Sequence, residues 1–201
     1  MVLKLEIKKD DPKTLILYWE GETWKEVCKY LFFNDLKKFP ADLQREDFYS
    51  RFALLEEKVA KRYAVYLLSR RNFLSSELEA KLLAKGFSSN SIKAALSSCC
   101  EKGYLNDAQE IARMFAKEIR KGHSSKAAYF KLKQKKISDS QLVDHLEQAE
   151  LIDRQNLQKW LKKNASKVKP DDPKEMKKLA AKLYRLGFPI ELVWQELRSV
   201  D

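Results

Sequence analysis

The sequence predicts a mostly α-helical protein built of three tandem three-helix repeats, preceded by a small N-terminal β-hairpin and helices. One segment occurs three times: a Lys-Leu pair is followed by apolar residues 5, 10 and 14 positions after the leucine. The turn positions of the three copies, Gly86, Lys136 and Gly187, lie 50 and 51 residues apart. A period of this length indicates one supersecondary unit used three times. Because each unit of such an array contacts only its neighbours, we expect an elongated, curved molecule.

Residues 1–58 predict the hairpin and the helices that follow it. Apolar and charged residues alternate over residues 2–8, and residues 14–20 are rich in aliphatic and aromatic side chains. The turn-like sequence Asp-Asp-Pro-Lys separates the two segments, as expected for a hairpin. Since an isolated hairpin is marginally stable, we expect it to pack on a helix around Thr23–Phe33. A second helix is predicted from near Leu43, and another from about residue 57.

Capping signals divide the rest of the chain into repeats at residues 59–105, 106–152 and 153–201. A Ser, Asp or Asn followed three residues later by Glu or Gln is typical of a helix start, and glycine is typical just after a helix end. The predicted starts are Ser76 with Glu79, Ser88 or Ser89, Asn106 with Gln109, Ser124 or Ser125, Ser138 with Gln141, and Asp172 with Pro173 and Glu175.

Charge and composition indicate the class of partner. The chain has 40 basic and 29 acidic residues, a formal charge of +11, and the whole excess lies beyond residue 61. Such a charge favours polyanions or acidic protein surfaces. No apolar run approaches the roughly 20 residues needed to cross a bilayer, and the N-terminus lacks a signal-peptide core. Three cysteines make no disulfide framework, which favours a reduced, cytoplasmic setting. We also expect a monomer without a membrane partner.

Motifs for catalysis, metals and cofactors are weak. Cys99 and Cys100 are adjacent and do not reproduce the Cys-x-x-Cys spacing of metal sites. His123 and His145, the two histidines, have no nucleophile or acid arranged around them. Paired acids fit turns and caps, and no Gly-x-Gly phosphate loop occurs. We therefore expect no enzyme activity, no metal and no cofactor.

Basic residues predict a partner-binding surface. Lys174, Lys177, Lys178 and Lys182 have offsets of 0, 3, 4 and 8 and so share one side of a helix, which Arg185 extends. Two smaller basic groups lie in the first and second repeats. The candidate surface residues are Arg70, Arg71, Lys85, Lys131, Lys135, Lys162, Lys163, Lys174, Lys177, Lys178, Lys182 and Arg185.

Over residues 60–201 the chain resembles the RecX family, the bacterial regulators of the RecA recombinase. The resemblance rests on residues in the family's order and spacing: Arg70, Ser76-Glu77-Leu78, Lys81-Leu82, Lys85-Gly86, Gly103-Tyr104-Leu105-Asn106-Asp107, Ala112, Phe115, Arg120 and Gly122. It implies a tandem three-helix fold, binding to RecA and the RecA–DNA filament, and modulation of recombinase, ATPase and co-protease activities. It also implies a role in DNA repair and the SOS response, and no catalysis.

The chain departs from the family at three places. Asn106 stands where Asp is usual, Lys136 replaces a turn glycine, and Ser124-Ser125 replace a small residue and an arginine.

Three functions are open at this point. In the first, the array lies along the groove of the RecA filament, contacts several protomers and limits filament growth or access. In the second, the chain binds single- or double-stranded DNA on its own through phosphates; the predominance of lysine favours backbone contacts over base reading. The third is a scaffold of the tetratricopeptide kind. Such a scaffold requires paired helices that repeat every 34 residues, in conflict with the period of about 50 in this chain.

Overall fold

A computed structural model describes residues 3–40, 43–147, 149–164 and 172–199. The chain forms two compact units, Met1–Asp107 and Ala108–Asp201, here called unit 1 and unit 2. Helix dominates both units, and within the described ranges strands occur only before residue 29. The prediction of a mostly α fold with a small N-terminal sheet and three-helix repeats is confirmed.

The N-terminal sheet has three antiparallel strands in the order β1-β2-β3: Leu3–Ile7, Thr14–Trp19 and Glu22–Cys28. The predicted hairpin is the β1–β2 pair. The prediction of helix from Thr23 is wrong, because that segment begins as β3. Glu20 and Gly21 have φ values of 51° and 88°, which produce the tight turn whose twist matches paired strands.

Two helices follow the sheet in unit 1, α1 (Lys29–Leu36) and α2 (Arg45–Arg70). The two helices predicted from near Leu43 and from about residue 57 are one helix, because no glycine or proline interrupts α2. Its buried residues continue at helical spacing from one end of the core to the other: Phe48, Phe52, Glu56, Val59, Ala60 and Ala64. The predicted boundary at residue 58 therefore lies within a continuous helix.

The remaining helices complete three successive triplets. The first triplet is α2 with α3 (Ser75–Leu83) and α4 (Ser89–Glu101). The second is α5 (Asp107–Arg120), α6 (Ser125–Lys133) and the short α7 (Asp139–Leu142), which continues as a 3-10 turn over Val143–Leu146. The third is α8 (Ala149–Lys163), α9 (Pro173–Arg185) and α10 (Ile190–Arg198).

Most predicted caps and turns are confirmed. The hydroxyls of Ser88 and Ser124 accept hydrogen bonds from the backbone N–H groups three residues on, at the starts of α4 and α6. The Ser138–Gln141 box and the Asp172 cap before Pro173 are also formed. Gly86 and Gly187 have positive φ, and Lys136 adopts the same left-handed conformation at φ 64°. All three repeat turns therefore share one backbone geometry.

The predicted capping box at Ser76 and Glu79 is wrong. Helix α3 begins at Ser75, and Leu74 before it supplies no side-chain cap. The Ser75 N–H instead donates to Asp107 Oδ1 at 2.7 Å, across 32 residues of chain. The carboxylate thus comes from the first helix of the next triplet.

The same arrangement recurs in unit 2. The Ser125 N–H at the start of α6 donates to Asp153 Oδ1 at 2.6 Å, and Asp153 belongs to α8. We call these two contacts the inter-repeat caps, because each joins the second helix of one triplet to the first helix of the next. Helix α9 carries its own cap, Asp172.

Each unit has an apolar core. In unit 1 the tryptophans of the sheet pack on Phe48 and Phe52 of α2, α2 packs on α4, and buried Glu56 links these layers. Its carboxylate accepts hydrogen bonds from Lys25 at 2.5 Å, from the Ser88 backbone and from the Ser88 and Ser91 hydroxyls. In unit 2 the helices of the third triplet surround Leu157, Leu183 and Val193, all fully buried. None of the helices in the described ranges is both long and apolar enough to cross a membrane.

Candidate partner-binding surfaces

Helix α9 presents the largest group of the predicted surface residues. Its buried face consists of Leu179, Ala180 and Leu183. The opposite faces expose the predicted basic residues Lys174, Lys177, Lys178, Lys182 and Arg185. The Asp172 cap and Pro173 start the helix, and the helical spacing of its apolar and basic residues produces this division.

Most of the α9 cations are available to a partner. Lys178 Nζ lies 2.7 Å from Glu175, and Arg185 donates to the Ala181 carbonyl of its own helix at 3.3 Å. Among the described residues, no carboxylate lies within 4.0 Å of Lys174 or Lys177. Surface ion pairs such as Lys178–Glu175 contribute little, and the stripe as a whole remains positive.

Lys182 connects α9 to α8. Its ammonium lies 5.4 Å from the centre of the Trp160 ring. Trp160 also lines a cavity of about 500 Å³ between the end of α5 and one face of α8, here called the α5–α8 cleft. The lining residues are Ile119, Arg120, Lys121, Gly122, Asn156, Lys159, Trp160, Lys163 and Asn164. Of the predicted residues, Lys163 lies in this cleft, and its neighbour Lys162 is exposed beside it.

Lys131 belongs to a local ion cluster. Glu118 on α5 lies 2.6 Å from Lys121 and 3.2 Å from Lys131, and Lys131 also contacts His123 Nε2. Hydrogen bonds from Lys121 and Lys131 lower the pKa of Glu118. Burial, with the Lys131 charge second, lowers the pKa of His123. Lys131 therefore helps join α5 to α6, whereas Lys135 is exposed with no carboxylate within 4.0 Å among the described residues.

The predicted cations of unit 1 each lie over an aromatic ring. Arg70 lies 5.9 Å from the Tyr66 ring, and Lys85 lies 5.5 Å from the Tyr30 ring. Arg71 stacks at 3.7 Å on the ring of Phe73 and also pairs with Glu77. Arg70 and Arg71 are exposed, and Lys85 is half-buried.

Aromatic residues of unit 1 form a second candidate site. Tyr30, Leu31, Arg62, Tyr63 and Tyr66 line a cavity of about 560 Å³. Tyr30 and Tyr66 are 59% and 53% exposed, although such large rings are usually covered. Tyrosine and arginine are enriched at interface hot spots. The available signal was the spacing of Tyr63, Tyr66 and Arg70 along α2, whereas Tyr30 joins them only through the fold.

No cluster of three or more His, Cys, Asp or Glu side chains suited to a metal ion occurs in the part of the chain that the structure describes. Cys99 is buried and Cys100 exposed, and burial raises the pKa of the Cys99 thiol. Neither cysteine lies among the lining residues of the cavities described above.

The similar proteins named here belong to one family. The family model described as "RecX, third three-helix domain" matches residues 152–197. The regulatory protein RecX of Vibrio vulnificus is 34% identical over 131 residues, covering 65% of this chain and 85% of the relative. The regulatory protein RecX of Caldanaerobacter subterraneus is 33% identical over 152 residues, covering 71% of each chain.

Two solved structures share the fold. A crystal structure of regulatory protein RecX aligns with a TM-score of 0.60 at 16% identity and covers 98% of both chains. RecX from Lactobacillus salivarius aligns with a TM-score of 0.60 at 19% identity, covering 71% of this chain and 97% of the other. At these identities the structural likeness concerns the fold alone.

Proposed function

This chain belongs to the RecX family of regulatory proteins, and from that premise we propose that it binds RecA and the RecA–DNA filament. Binding inhibits the recombinase, ATPase and co-protease activities of RecA, and thereby regulates DNA repair and the SOS response. The protein acts as a cytoplasmic monomer and catalyses no reaction itself. Its three repeats are the three helix triplets, of which the first and third begin with α2 and α8, before the predicted boundaries at residues 59 and 153.

The unpaired lysines of α9 are the observation that supports this proposal most directly. A filament of RecA on DNA offers phosphates and protein carboxylates, and both attract exposed ammonium groups. Lys174 and Lys177 are exposed, and no described carboxylate within 4.0 Å neutralises them. Long, solvated lysine side chains adapt to either kind of acidic group, since their charge is not fixed in one orientation.

The tyrosine site of unit 1 supplies a second kind of contact. Exposed Tyr30 and Tyr66 with Arg62 and Arg70 resemble the aromatic and arginine anchors of protein interfaces. Such anchors contribute affinity by burying apolar area, which the lysines of α9 do not. We therefore assign protein docking to unit 1 and electrostatic attachment to α9.

The experiment is a RecA ATPase assay on single-stranded DNA, with increasing concentrations of the chain. We expect loss of ATPase activity with the unaltered chain and a weakened effect with the double variant K174E/K177E. The matched control is K58E/K93E, which reverses two exposed lysines on α2 and α4 and changes the net charge equally. Equal inhibition by the α9 variant and the unaltered chain would show that α9 is not part of the binding surface.

Stand-alone DNA binding is the competing function, and a salt titration separates the two. For a protein that binds single strands through phosphates alone, the logarithm of the binding constant falls with the logarithm of the salt concentration. The slope of this plot is about −0.7 for each phosphate contact. We expect inhibition of RecA to show a shallower salt dependence than this, because apolar contacts at the tyrosine site are not screened. ATPase inhibition that follows DNA affinity at every salt concentration, with no added effect of RecA, would favour the competing function.

A further inference from the structure

We infer that a groove of unit 2, apart from the basic surfaces described above, is the docking site for a basic amphipathic segment of a partner protein. The groove lies between α6, α8 and α10 and is here called the α6–α10 groove. Its volume of about 730 Å³ lies within the range of roughly 300–1,000 Å³ that is usual for ligand sites. The inference does not rest on the function proposed above, because it concerns other residues and a partner of opposite charge.

The walls of the groove are apolar and open to solvent. Tyr129 and Phe130 of α6 pack edge to face, with their ring centres 5.5 Å apart. Leu192 of α10 is buried, and Leu146 at the end of the 3-10 turn is half-buried. Phe130 is 51% exposed, although a ring of this size is usually covered. Exposed apolar surface of this kind marks an interaction site.

Contacts between the three helices hold the groove in shape. The inter-repeat cap from Asp153 to the Ser125 N–H joins α8 to α6 at 2.6 Å. Arg154 joins α8 to α10, since it donates to Gln195 Oε1 at 3.1 Å and lies 3.7 Å from the Glu196 carboxylate. A groove that exists before the partner arrives costs less conformational entropy to fill.

The charge of the groove is opposite to that of the chain as a whole. Glu150 and Glu191 line it and are exposed, and the carboxyl group of Asp153 lies buried in it. Its one lining cation is Lys126. Glu150 is 3.9 Å from Arg154, and no cation lies within 4.0 Å of Glu191 among the described residues. The chain carries a net charge of +11, so an acidic groove on it selects a cationic partner locally.

A basic amphipathic segment matches both properties. A large apolar side chain of the segment would pack beside Phe130 and Leu192, as the anchors of a helix do in an apolar groove. Lysine or arginine side chains next to that anchor lay their apolar stems along the walls and reach the carboxylates of Glu150 and Glu191 with their charged ends. Nucleic acids and anionic lipids carry phosphates, which these carboxylates repel.

The test measures binding of the full chain to a fluorescein-labelled peptide by fluorescence anisotropy. The peptide has about 14 residues, with leucines at helical spacing and lysines elsewhere. A second peptide has serine in place of each leucine and keeps every lysine. The net charge of the chain repels both peptides, so non-specific attraction does not imitate binding at the groove.

The apolar wall is tested by Phe130→Ala, with Leu54→Ala as the matched control. Both side chains are exposed, and Leu54 lies on α2 in unit 1, so both variants should fold, as circular dichroism will verify. We expect F130A to bind the leucine–lysine peptide roughly tenfold more weakly than L54A, because aromatic anchors dominate such interfaces.

The acidic rim is tested by E150Q/E191Q, with E79Q/E101Q as the control that removes two exposed acids of α3 and α4. We expect the rim variant to bind roughly fivefold more weakly than its control at low salt, with a smaller difference at high salt. Glutamine retains helix propensity, so the helices that form the groove should persist.

Three results would overturn the inference. The first is no saturable binding of the leucine–lysine peptide, or equal binding by the groove variants and their controls. The second is undiminished binding of the serine-containing peptide, since the apolar walls would then play no part. The third is self-association of the unaltered chain that F130A abolishes, measured by analytical ultracentrifugation, because the occupant would then be a second copy of this chain.

Discussion

Removing the Asp153 carboxylate will test whether the inter-repeat caps stabilise the array. Asp153 is 4% exposed, and its Oδ1 accepts the 2.6 Å hydrogen bond from the fully buried Ser125 N–H. The Asp153→Ala substitution leaves that N–H buried without an acceptor, which costs about 1–3 kcal/mol. Loss of a helix N-cap gives a similar range of about 0.5–2 kcal/mol for the same contact. We expect a loss of about 2 kcal/mol in the free energy of unfolding.

Thermal unfolding converts this loss into a measurable shift. For a unit of this size, 1 kcal/mol corresponds to about 4–8 °C, so the unfolding temperature of unit 2 should fall by about 8–16 °C. Hydrogen exchange of the α6 and α8 amides will show that the loss is local, because the contact joins these helices. A shift below about 3 °C, or faster exchange confined to unit 1, would refute the role assigned to Asp153.

The Asp153→Asn variant is the matched control, because its side-chain oxygen still accepts from Ser125. Burial raises the pKa of Asp153 above its ordinary value of 3.8, despite the opposing hydrogen bonds from Ser125. The stability that Asp153 contributes is therefore fully present below pH 3.8 and declines as the pH rises through the raised pKa. Relative to the unaltered chain, Asp153→Asn should gain stability over that interval, as unfolding curves at several pH values will show. A relative loss with rising pH would contradict this sign.

Three further substitutions test particular contacts by urea unfolding. Lys136→Gly should stabilise by about 1 kcal/mol, since φ 64° is unfavourable for a side chain; no gain would argue against this geometry. Gly187→Ala should destabilise by more than about 2 kcal/mol, because an added Cβ would lie 2.6 Å from Ser124 Oγ and 2.7 Å from Ala127 Cβ, and wild-type stability would refute that packing. Glu56→Ala should cost about 3 kcal/mol by leaving buried donors unpaired, and a loss below 1 kcal/mol would contradict its central place.

Local signals in the sequence predicted local structure well. Ser88, Ser124 and Asp172 cap helices through groups two or three residues away, and the interaction is complete within those residues. The turn at Lys136 was predicted from the repeat period, and its left-handed backbone matches those of Gly86 and Gly187. Such caps and turns depend only on neighbouring residues, so the local sequence is sufficient to predict them.

Features that depend on distant residues were not predicted. The start of α3 was assigned to Ser76 and Glu79, because nothing near Ser75 indicates that Asp107 would supply the cap. The strand β3 was interpreted as helix, since Trp24, Val27 and Leu31 also fit a helical face. The turn at Glu20-Gly21 returns the chain along β2, so the segment pairs as a strand and does not form a helix. Glu-Gly is a weaker hairpin signal than Asn-Gly, so the sequence did not predict this turn.

The candidate surfaces show the same division. The stripe on α9 was predicted because its spacing lies within one helix, and the structure exposes each member. The α5–α8 cleft combines Arg120 with Lys159, and the tyrosine site combines Tyr30 with Tyr63. These residues are far apart in the sequence, and no repeat or helical spacing links them. Only the packing of helices brings these groups together.

Direct binding to the RecA filament tests the central claim. The unaltered chain is passed over RecA filaments assembled on immobilised single-stranded DNA with a non-hydrolysable ATP analogue, and over the same DNA without RecA. We predict saturable binding to the filament at concentrations where the naked DNA retains little protein, and weaker filament binding by K174E/K177E. Equal or stronger binding to naked DNA, with no difference between K174E/K177E and K58E/K93E on the filament, would contradict the account.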